Sequence, residues 1–470
     1  MPPPQELTVG RPSLPPLSIP RVPVRARVAL AVCALAALSF FFPSAPTYDP
    51  WAWIIWGREV LHLDLNTVDG PSWKPLPVLV TTPFALFGSL APDLWLFVAR
   101  AAAIGSVVAV FGLARRLGGL PAGALAAVAY AVTPWTLRNA AMGNSEGLLV
   151  LLAVAAIDRH LAGRLRAAFL CALGAALLRP EVWPFIGLYG LWLLVRRPRE
   201  RVIVGAGFAL LPVLWLLPEL WGSGDVLRAM HRAKIPNADS AAFAANPAHA
   251  VLDQFTSMML KPAWVGVGAL ALALVLRRAP SRRDRDAVLV LAGAIVVLVA
   301  EVAYMTSDGF SGNTRYLILP AALTCVLAGV GVGWLVRGLP VRVTAVVAVV
   351  AAVACAVAGA ARLGPTLDAV DFQAHLADAA GDFVRAAGGR DALLQCGDPY
   401  AGDFQVPVVA WQLHVHQTQV GIAPRAPAVV FRTSNAIGGR PGPSLAAVGG
   451  EAGVRTLAAG SGWRIVGTCR

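Results

Sequence analysis

The sequence predicts an all-α polytopic membrane protein with about eleven transmembrane helices and a small C-terminal α/β domain. Of its 470 residues, 57% are hydrophobic and only 14% are charged, and the mean hydropathy is +0.65. A soluble domain carries about 25% charged residues, so this chain cannot cover itself with polar surface in water. Long apolar runs recur along the chain, and the arginine-rich segments fall between them. This pattern is typical of a chain that crosses a bilayer many times.

The charge of the chain agrees with this class. The formal net charge is +13 and the pI is about 10.2. In a soluble protein such a balance would indicate nucleic-acid binding. Membrane proteins, however, collect Arg and Lys on their cytoplasmic loops. Because the basic residues fall between apolar runs, we expect no nucleic-acid partner.

The N-terminal segment predicts a tail followed by a membrane anchor. Residues 1–27 are rich in proline and arginine, which is typical of a disordered tail. The apolar run 28–42 has no convincing cleavage site of small residues after it. We therefore interpret it as the first spanning helix and not as a removed signal. The basic tail before it predicts a cytoplasmic N-terminus.

Further apolar runs predict the remaining spanning helices. They cover roughly residues 92–114, 120–135, 144–158, 165–178, 182–195, 202–220, 262–276, 287–305, 316–336 and 343–361. Under this count every strongly basic loop falls on the cytoplasmic side, whereas a wrong count would scatter these loops over both faces. The same count puts the following loops outside the cytoplasm: 43–91, 136–146, 179–181, 221–261 and 306–315. We expect the protein in the cell membrane.

The chain is divided at residue 361 into a transmembrane domain, 28–361, and an extracytoplasmic domain, 362–470. Residues 367–387 have helical periodicity. Short strands separated by glycine-rich turns are predicted at 392–396, 428–432 and 463–468. Cys396 and Cys469 lie in this domain, where the compartment permits a disulfide, but the sequence does not decide whether the two pair.

The first outer loop, residues 43–91, contains the densest group of unusual residues. Its tryptophans are explained by an aromatic belt at the membrane interface. That explanation does not cover Asp49, which comes shortly after a spanning helix and directly before the rigid Pro50. Acids in such positions are often functional, because a low local dielectric raises the pKa of the carboxyl group.

Several motifs then follow one another in an order that resembles one enzyme superfamily. They are Tyr48-Asp49, Gly57-Arg58-Glu59, Trp73-Lys74-Pro75-Leu76-Pro77, Leu86-Phe87-Gly88, Arg115-Arg116-Leu117-Gly118-Gly119 and Arg315-Tyr316. The run resembles the integral-membrane glycosyltransferases of the GT-C superfamily, most closely over residues 28–200. Among these it is most similar to bacterial relatives of protein O-mannosyltransferases and lipid A aminoarabinose transferases.

The resemblance implies a reaction and a base. Such enzymes take a sugar, of mannose or arabinose type, from a polyprenyl-phosphate carrier and pass it to a hydroxyl of a cell-envelope lipid, glycan or protein. An acid of the first outer loop is the general base, which here is Asp49. Many relatives have two adjacent acids, whereas Pro50 follows here. This argues against a divalent metal and leaves open whether Asp64 or Asp69 shares the role. No cofactor is expected, since the lipid-linked sugar is itself a substrate.

The leaving phosphate needs cationic partners as its charge develops. The candidates on the outer side are Lys74, Arg58, Arg179 and Arg315. Lysine is scarce in this chain, which favours a specific role for Lys74. Arg179 and Arg315 could equally be interfacial residues whose charged ends extend into water, and for Arg58 this interpretation is favoured.

Two further acids are candidates for substrate binding. Glu146 follows Asn144-Ser145 at the outer end of a helix, where a capping role competes with a functional one. Glu181 belongs to Arg179-Pro180-Glu181, a tight outer turn between two apolar runs. This turn is either an ion pair closed on itself or a wall of the donor site.

Two weaker signals remain open. The loop 221–261 is either a lid over the lipid phosphate or an interfacial segment, and the latter is favoured. His414 and His416 alternate with apolar residues and hint at a metal, but no cysteine or acid stands at ligand spacing nearby.

The alternatives to an enzyme are a flippase or transporter for lipid-linked sugars and a non-catalytic cell-envelope assembly protein. A transporter predicts paired ionisable residues deep in spanning helices, and Glu301 is the one candidate of that kind. The clustering of the acids at one face favours an enzyme. An assembly protein would tolerate the replacement of Asp49 and Lys74.

Overall fold

The computed structural model of the protein describes residues 23–469, so most of the predicted tail lies outside the described residues. Its last four residues, 24–27, already belong to the first helix. The α-helices are α1 (Val24–Leu38), α2 (Tyr48–Leu61), α3 (Pro75–Phe84), α4 (Ala91–Ala131), α5 (Pro134–Ala141), α6 (Glu146–Leu161), α7 (Leu165–Ala176), α8 (Trp183–Arg196), α9 (Arg201–Ser223), α10 (Arg228–Ala233), α11 (Pro247–Met258), α12 (Lys261–Val275), α13 (Arg282–Ser307), α14 (Ile318–Leu335), α15 (Val341–Ala386), α16 (Gly389–Cys396) and α17 (Val406–Leu413). The strands are β1 (Asp398–Ala401), β2 (Ala428–Arg432), β3 (Arg455–Gly460) and β4 (Trp463–Gly467).

The protein is a multi-pass membrane protein. Within residues 23–469, six helical segments are long and apolar enough to cross a membrane, and there are up to eight if each of two bent helix pairs is one span. The bent pairs are α5 with α6 and α11 with α12. The predicted number of about eleven spans is therefore not confirmed. Some predicted runs form helices such as α7, whose 12 residues fall short of the roughly 20 that cross a bilayer.

Helix α4 is a hairpin of two helical arms. Gly119 has a φ of 84° and a ψ of −177°, which breaks the helix. Beyond it, a Cβ on Gly123 would lie 2.9 Å from both the Arg115 Cβ and the Phe111 carbonyl oxygen. In a straight helix these residues would be about 12 and 18 Å apart along the axis. The arms therefore pack against each other, which matches the two separate runs predicted at 92–114 and 120–135.

Helix α14 forms the centre of the bundle. Almost all of its residues are buried, and it packs against both α4 and α12. Three glycines on α14 lie against neighbouring backbone: Gly329 against Ala122, Gly331 against Gly266 and Gly333 against Gly118. A side chain at any of them would collide with a main-chain oxygen. Small residues at such crossings let membrane helices approach closely, which fixes the bundle that carries the outer loops.

Helix α15 connects the bundle to the C-terminal region. It runs for 46 residues and passes without a break through the predicted domain boundary at residue 361. The four strands form one sheet in the order β1-β2-β4-β3, with β1 parallel to β2 and the other pairs antiparallel. The division into domains at residues 27 and 361 stays a prediction.

The secondary structure predicted for this region is partly right. The predicted strands at 428–432 and 463–468 correspond to β2 and β4. The predicted strand at 392–396 is wrong, because these residues are the end of α16. Leu393 and Cys396 bury one face of that helix, and the run contains leucine, alanine and glutamine, which favour helix over strand. Cys396 and Cys469 form a disulfide.

Candidate active site

Asp49 lies in the first turn of α2, and Pro50 follows it there. Proline is favoured in a first helical turn because the N–H groups at that position have no partner within the helix. The N–H of Thr47 donates to the Met142 carbonyl oxygen at 3.2 Å, and the Thr47 hydroxyl lies 3.3 Å from Asn144 Oδ1. These contacts hold the start of α2 against the segment that precedes α6.

Lys74 is the extended residue directly before α3, which begins with a proline. Its Nζ lies 3.6 Å from Asp49 Oδ2 and 4.9 Å from the ring centre of Trp53. The residue is only 6% exposed. An ammonium group so deeply buried is stabilised by the opposite charge of a carboxylate and by the face of an aromatic ring.

Arg315 approaches Asp49 from the other side. The Asn313 side chain accepts a hydrogen bond from the Arg315 N–H and shapes the short turn before α14. From this turn, Arg315 Nη2 donates to Asp49 Oδ2 at 2.9 Å, and Nη1 donates to Asn144 Oδ1 at 3.1 Å. Arg315 Nε lies 4.0 Å from Glu146 Oε1. Arg315 thus connects the first outer loop with the start of α6.

Arg179 joins two further acids. Its Nη2 donates to Glu146 Oε1, and its Nη1 lies 3.9 Å from Glu181 Oε1. The guanidinium also lies over the ring of Tyr316, 4.6 Å from its centre. All three charged residues are buried. They link the turn between α7 and α8 to α6 and to the turn before α14.

These residues form one connected set, which we call the ion cluster. Its members are Asp49, Lys74, Glu146, Arg179, Glu181 and Arg315. They come from four segments that the sequence analysis put on the same side of the membrane. Their charges balance, with three acids and three cations.

Asp49 and Lys74 have shifted titration behaviour. Burial alone raises the pKa of Asp49, as the sequence analysis expected, but Arg315 and Lys74 outweigh burial and lower the pKa to about 2. The expectation of a raised pKa is therefore wrong, because the nearby cations were not visible in the sequence. Burial, together with the charge of Arg179, lowers the pKa of Lys74 to about 8. Asp49 is ionised at neutral pH, and Lys74 is close to its titration range.

Several polar atoms of the ion cluster lack a hydrogen-bond partner among the described residues. Among the described residues, the Oε2 atoms of Glu146 and Glu181 and the Nε of Arg179 are buried without a hydrogen-bond partner. Lys74 Nζ makes no hydrogen bond to any residue between 23 and 469, since its contact with Asp49 is 3.6 Å long. Buried polar groups are nearly always paired in folded proteins. The spare donors and acceptors are therefore suited to a polar ligand.

Three candidates lie outside the ion cluster. Arg58 Nη2 donates to the Val415 carbonyl oxygen at 2.9 Å, and the guanidinium lies over Trp411. Its role in substrate binding stays a prediction. Asp64 is exposed and contacts a histidine of the C-terminal region. Asp69 is also exposed, and neither acid forms an ion pair with a cation of the cluster. Asp49 is thus the one acid of the first outer loop that belongs to it.

The loop 221–261 packs against the first outer loop. Arg228 donates to the carbonyl oxygens of Gly70 and Pro71 and contacts Glu219 at 3.3 Å. Arg232 also donates to Gly70. The role of this loop as a lid stays a prediction.

The two histidines of the C-terminal region have separate surroundings. His414 lies against the Trp411 carbonyl oxygen, whereas His416 lies between Glu59 and Asp64, at 2.8 and 3.1 Å. Within residues 23–469 there is no group of three or more His, Cys, Asp or Glu arranged to hold a metal ion.

Sequence reasoning missed the part played by Asn144. Its Oδ1 accepts from Arg315 and lies near the Thr47 hydroxyl, so it joins three segments of the site. The sequence showed it only as a neighbour of Glu146 at a helix start. A polar residue at such a position normally predicts a cap, and nothing in the sequence distinguishes a cap from a bridge between loops.

No protein-family model and no curated protein sequence matches the chain. Its structure is similar to that of ArnT from Cupriavidus metallidurans, an aminoarabinose transferase, in two crystal structures. The structure bound to undecaprenyl phosphate aligns with a TM-score of 0.56 at 14% identity, over 94% of this chain and 97% of ArnT. The apo structure aligns with a TM-score of 0.55 at 14% identity, over 94% and 98%. The chain therefore has the same fold as ArnT, which agrees with the resemblance seen in its motifs.

Proposed function

We propose that the protein is a membrane glycosyltransferase that moves a sugar from a polyprenyl-phosphate carrier to an acceptor hydroxyl. The observation that carries this proposal is the position of the Asp49 carboxylate between Lys74 and Arg315, at 3.6 and 2.9 Å. Glycosyl transfer needs a carboxylate for the incoming hydroxyl and cations for the leaving phosphate. The fold gives further support, since ArnT, which shares it, has been crystallised with undecaprenyl phosphate.

Lys74 is our main candidate for holding the donor phosphate. Its three ammonium protons make no hydrogen bond within residues 23–469, and Arg179 and Arg315 add positive charge nearby. A dianionic or monoanionic phosphate would supply the acceptor oxygens that Lys74 lacks. We assign Arg315 and Arg179 to the same anion, as partners for the charge that develops on the leaving group.

The proposed step moves one proton and exchanges one bond. The acceptor O–H gives its proton to an Asp49 oxygen while the acceptor oxygen bonds to the anomeric carbon of the sugar. The bond between that carbon and the phosphate oxygen breaks, and its electron pair leaves with the polyprenyl phosphate. The transition state resembles an oxocarbenium ion, which the carboxylate also stabilises. Attack from the side opposite the phosphate inverts the anomeric centre.

Asp49 becomes a stronger base when the donor binds. In the unliganded site Arg315 and Lys74 hold its pKa at about 2, which makes a poor proton acceptor. A phosphate that draws these two cations toward itself weakens their hold on Asp49. The carboxyl pKa then moves back up under the effect of burial. Donor binding and base activation are coupled in this way.

We also propose the type of sugar, the class of acceptor and the orientation of the protein in the membrane. Glu146 would orient a substrate hydroxyl, the sugar would be of mannose or arabinose type, and the acceptor would be a cell-envelope lipid, glycan or protein. We propose that the site faces outward and the N-terminus faces the cytoplasm. The Cys396–Cys469 disulfide supports an extracytoplasmic C-terminal region, because disulfides persist in oxidising compartments.

The test is radiolabelled sugar transfer from a lipid extract, comparing the wild type with Asp49→Asn. We expect the variant to insert normally and to lose transfer by roughly 100- to 10,000-fold, the range of acid–base catalysis. Normal transfer by the variant would exclude Asp49 as the general base. A flippase would move the lipid-linked sugar across vesicles without forming a new glycosidic bond, and an assembly protein would do neither.

A further inference from the structure

Two acids of the ion cluster have carboxylate oxygens that receive no hydrogen bond from the described residues. Glu146 and Glu181 each contact Arg179 through Oε1, while their Oε2 atoms are buried and accept no hydrogen bond from the described residues. Ser145, directly before Glu146, is 1% exposed, and its hydroxyl also has no partner within residues 23–469. Buried groups of this kind indicate a missing polar ligand.

Helix α13 adds a third such carboxylate. Glu301 Oε2 is buried without a partner in the described part of the chain, and no cation offsets its charge there. Helix α13 packs against the turn Pro180–Val182, and Glu301 and Glu181 are close enough for their charges to interact. An unpaired carboxyl group in a spanning helix is costly, and such residues usually serve function.

We propose that Glu181 and Glu301 form a subsite for the donor sugar, which selects a ring that offers hydroxyl groups and carries no carboxylate. This rests on the proposed function, because the sugar is bonded to the phosphate that Lys74 and Arg179 would hold. The first hydrogen-bond acceptors beside Arg179 are those of Glu146 and Glu181. Carboxylate oxygens accept hydrogen bonds from sugar hydroxyl groups, and a carboxylate on the sugar would add a further acid to this pair, which disfavours its binding.

Two synthetic donors test the selection directly. Polyprenyl-phosphate glucose and polyprenyl-phosphate glucuronate differ only in a CH₂OH or a carboxylate at C6. Binding of each to the full-length protein in vesicles is measured alongside the sugar-free polyprenyl phosphate. We expect the wild type to bind the glucosyl lipid at least about tenfold more tightly than the glucuronosyl lipid. This arm needs no variant, so a folding defect cannot obscure it.

The variants Glu181→Gln and Glu301→Gln then show whether these two residues cause the preference for the glucosyl lipid. Each replaces a carboxyl group by an amide and keeps the shape of the side chain. We expect each to reduce the preference for the glucosyl lipid by about fivefold, with the affinity of the same variant for sugar-free polyprenyl phosphate as the reference. The matched control is Glu451→Gln, an exposed acid paired with Arg432 and Arg464, which should keep the wild-type preference.

The outcomes separate this inference from the proposed function. Equal binding of the two sugar lipids by the wild type, or an unchanged preference in both Gln variants, would overturn the sugar subsite. Tight binding of sugar-free polyprenyl phosphate that depends on Lys74 would still leave the proposed function standing. If polyprenyl phosphate does not bind at all, the proposed function and the subsite both fail.

Discussion

Arginines in two regions of this protein use their charge in opposite ways. Arg100, on α4, donates to the carbonyl oxygens of Ser39, Phe42 and Pro43 and to the Ser39 hydroxyl. These oxygens include the end of α1, where helix carbonyls lack partners within the helix. Arg100 contacts no acid among the described residues. Its donors are taken up by the chain itself.

Arg179 and Arg315 contact acids instead, and their surroundings are left incomplete. Arg179 Nε has no partner within the described residues, and neither do the Oε2 atoms of Glu146 and Glu181. Arg100 and Arg179 are each 4% exposed, so burial alone does not separate these two residues. The difference teaches that equally buried arginines can be in different states: the chain itself uses the donors of Arg100, whereas Arg179 and its acids keep polar atoms that a ligand could use.

The largest expected effect comes from removing the cation with the most unused donors. Lys74→Ala should weaken binding of undecaprenyl phosphate by roughly 100-fold or more, because the phosphate loses a buried charged partner. Binding to the purified protein in nanodiscs measures this. The control is Lys234→Ala, a lysine paired with Asp308 at the surface, which should bind as the wild type does. Unchanged binding by Lys74→Ala would show that the spare donors have no ligand role.

The pH dependence of donor binding also tests whether Lys74 holds the phosphate. The pKa of Lys74 is lowered from 10.5 to about 8, so its charge is present below pH 8 and is lost above it. Asp49, with a pKa of about 2, stays ionised throughout the neutral range. Affinity for the phosphate should therefore fall up to about tenfold per pH unit above pH 8.

Lys74→Arg provides the matched variant, because a guanidinium stays charged well above pH 10. Its affinity should be flat between pH 7 and 10, even if it is lower than that of the wild type. A wild-type profile that is equally flat would mean that Lys74 does not hold the phosphate.

Arg100→Gln should lower the stability of the protein and leave its sugar-transfer activity nearly unchanged. Several carbonyl oxygens between residues 39 and 43 would lose their charged donor, and we expect the free energy of unfolding to fall by about 1–3 kcal/mol in total. Thermal unfolding in detergent measures the loss. Transfer per folded molecule at low temperature should stay within about threefold of the wild type, since Arg100 contacts no member of the ion cluster. A loss of transfer like that of Asp49→Asn would abolish the distinction between the two regions.

The smallest effect is expected at Arg58, the candidate that lies elsewhere. Arg58→Gln removes a hydrogen bond to Val415 and the contact with Trp411, both in the C-terminal region. Undecaprenyl phosphate affinity should change by less than about twofold. The same nanodisc assay decides this, and a drop comparable with that of Lys74→Ala would extend the phosphate site to Arg58.

The sequence predicted which residues come together in the ion cluster better than it predicted their ionisation. Asp49, Lys74 and Arg315 were recognisable because charged residues stand out between apolar runs and because alternate loops share a face. The pKa of Asp49 was not predictable, since it depends on cations that are 25 or more residues away in the chain. Arg58 could not be told from a member of the ion cluster, because the side on which a helix packs depends on its tertiary neighbours.

The fold was predictable to a similar extent. Hydropathy revealed the apolar runs, including both arms of the α4 hairpin, but it did not reveal how each run is oriented in the bundle. The number of spans therefore remained beyond the reach of the sequence. The helix at 392–396 was mistaken for a strand, because five apolar-rich residues carry no clear period.

A cryo-EM structure of the protein bound to undecaprenyl phosphate tests the central claim most directly. We predict phosphate density within about 3.5 Å of Lys74 Nζ, with Arg315 turned toward it and Asp49 left exposed to the acceptor side. Density for the phosphate at Arg58 or Arg228, with the ion cluster unchanged, would contradict the account.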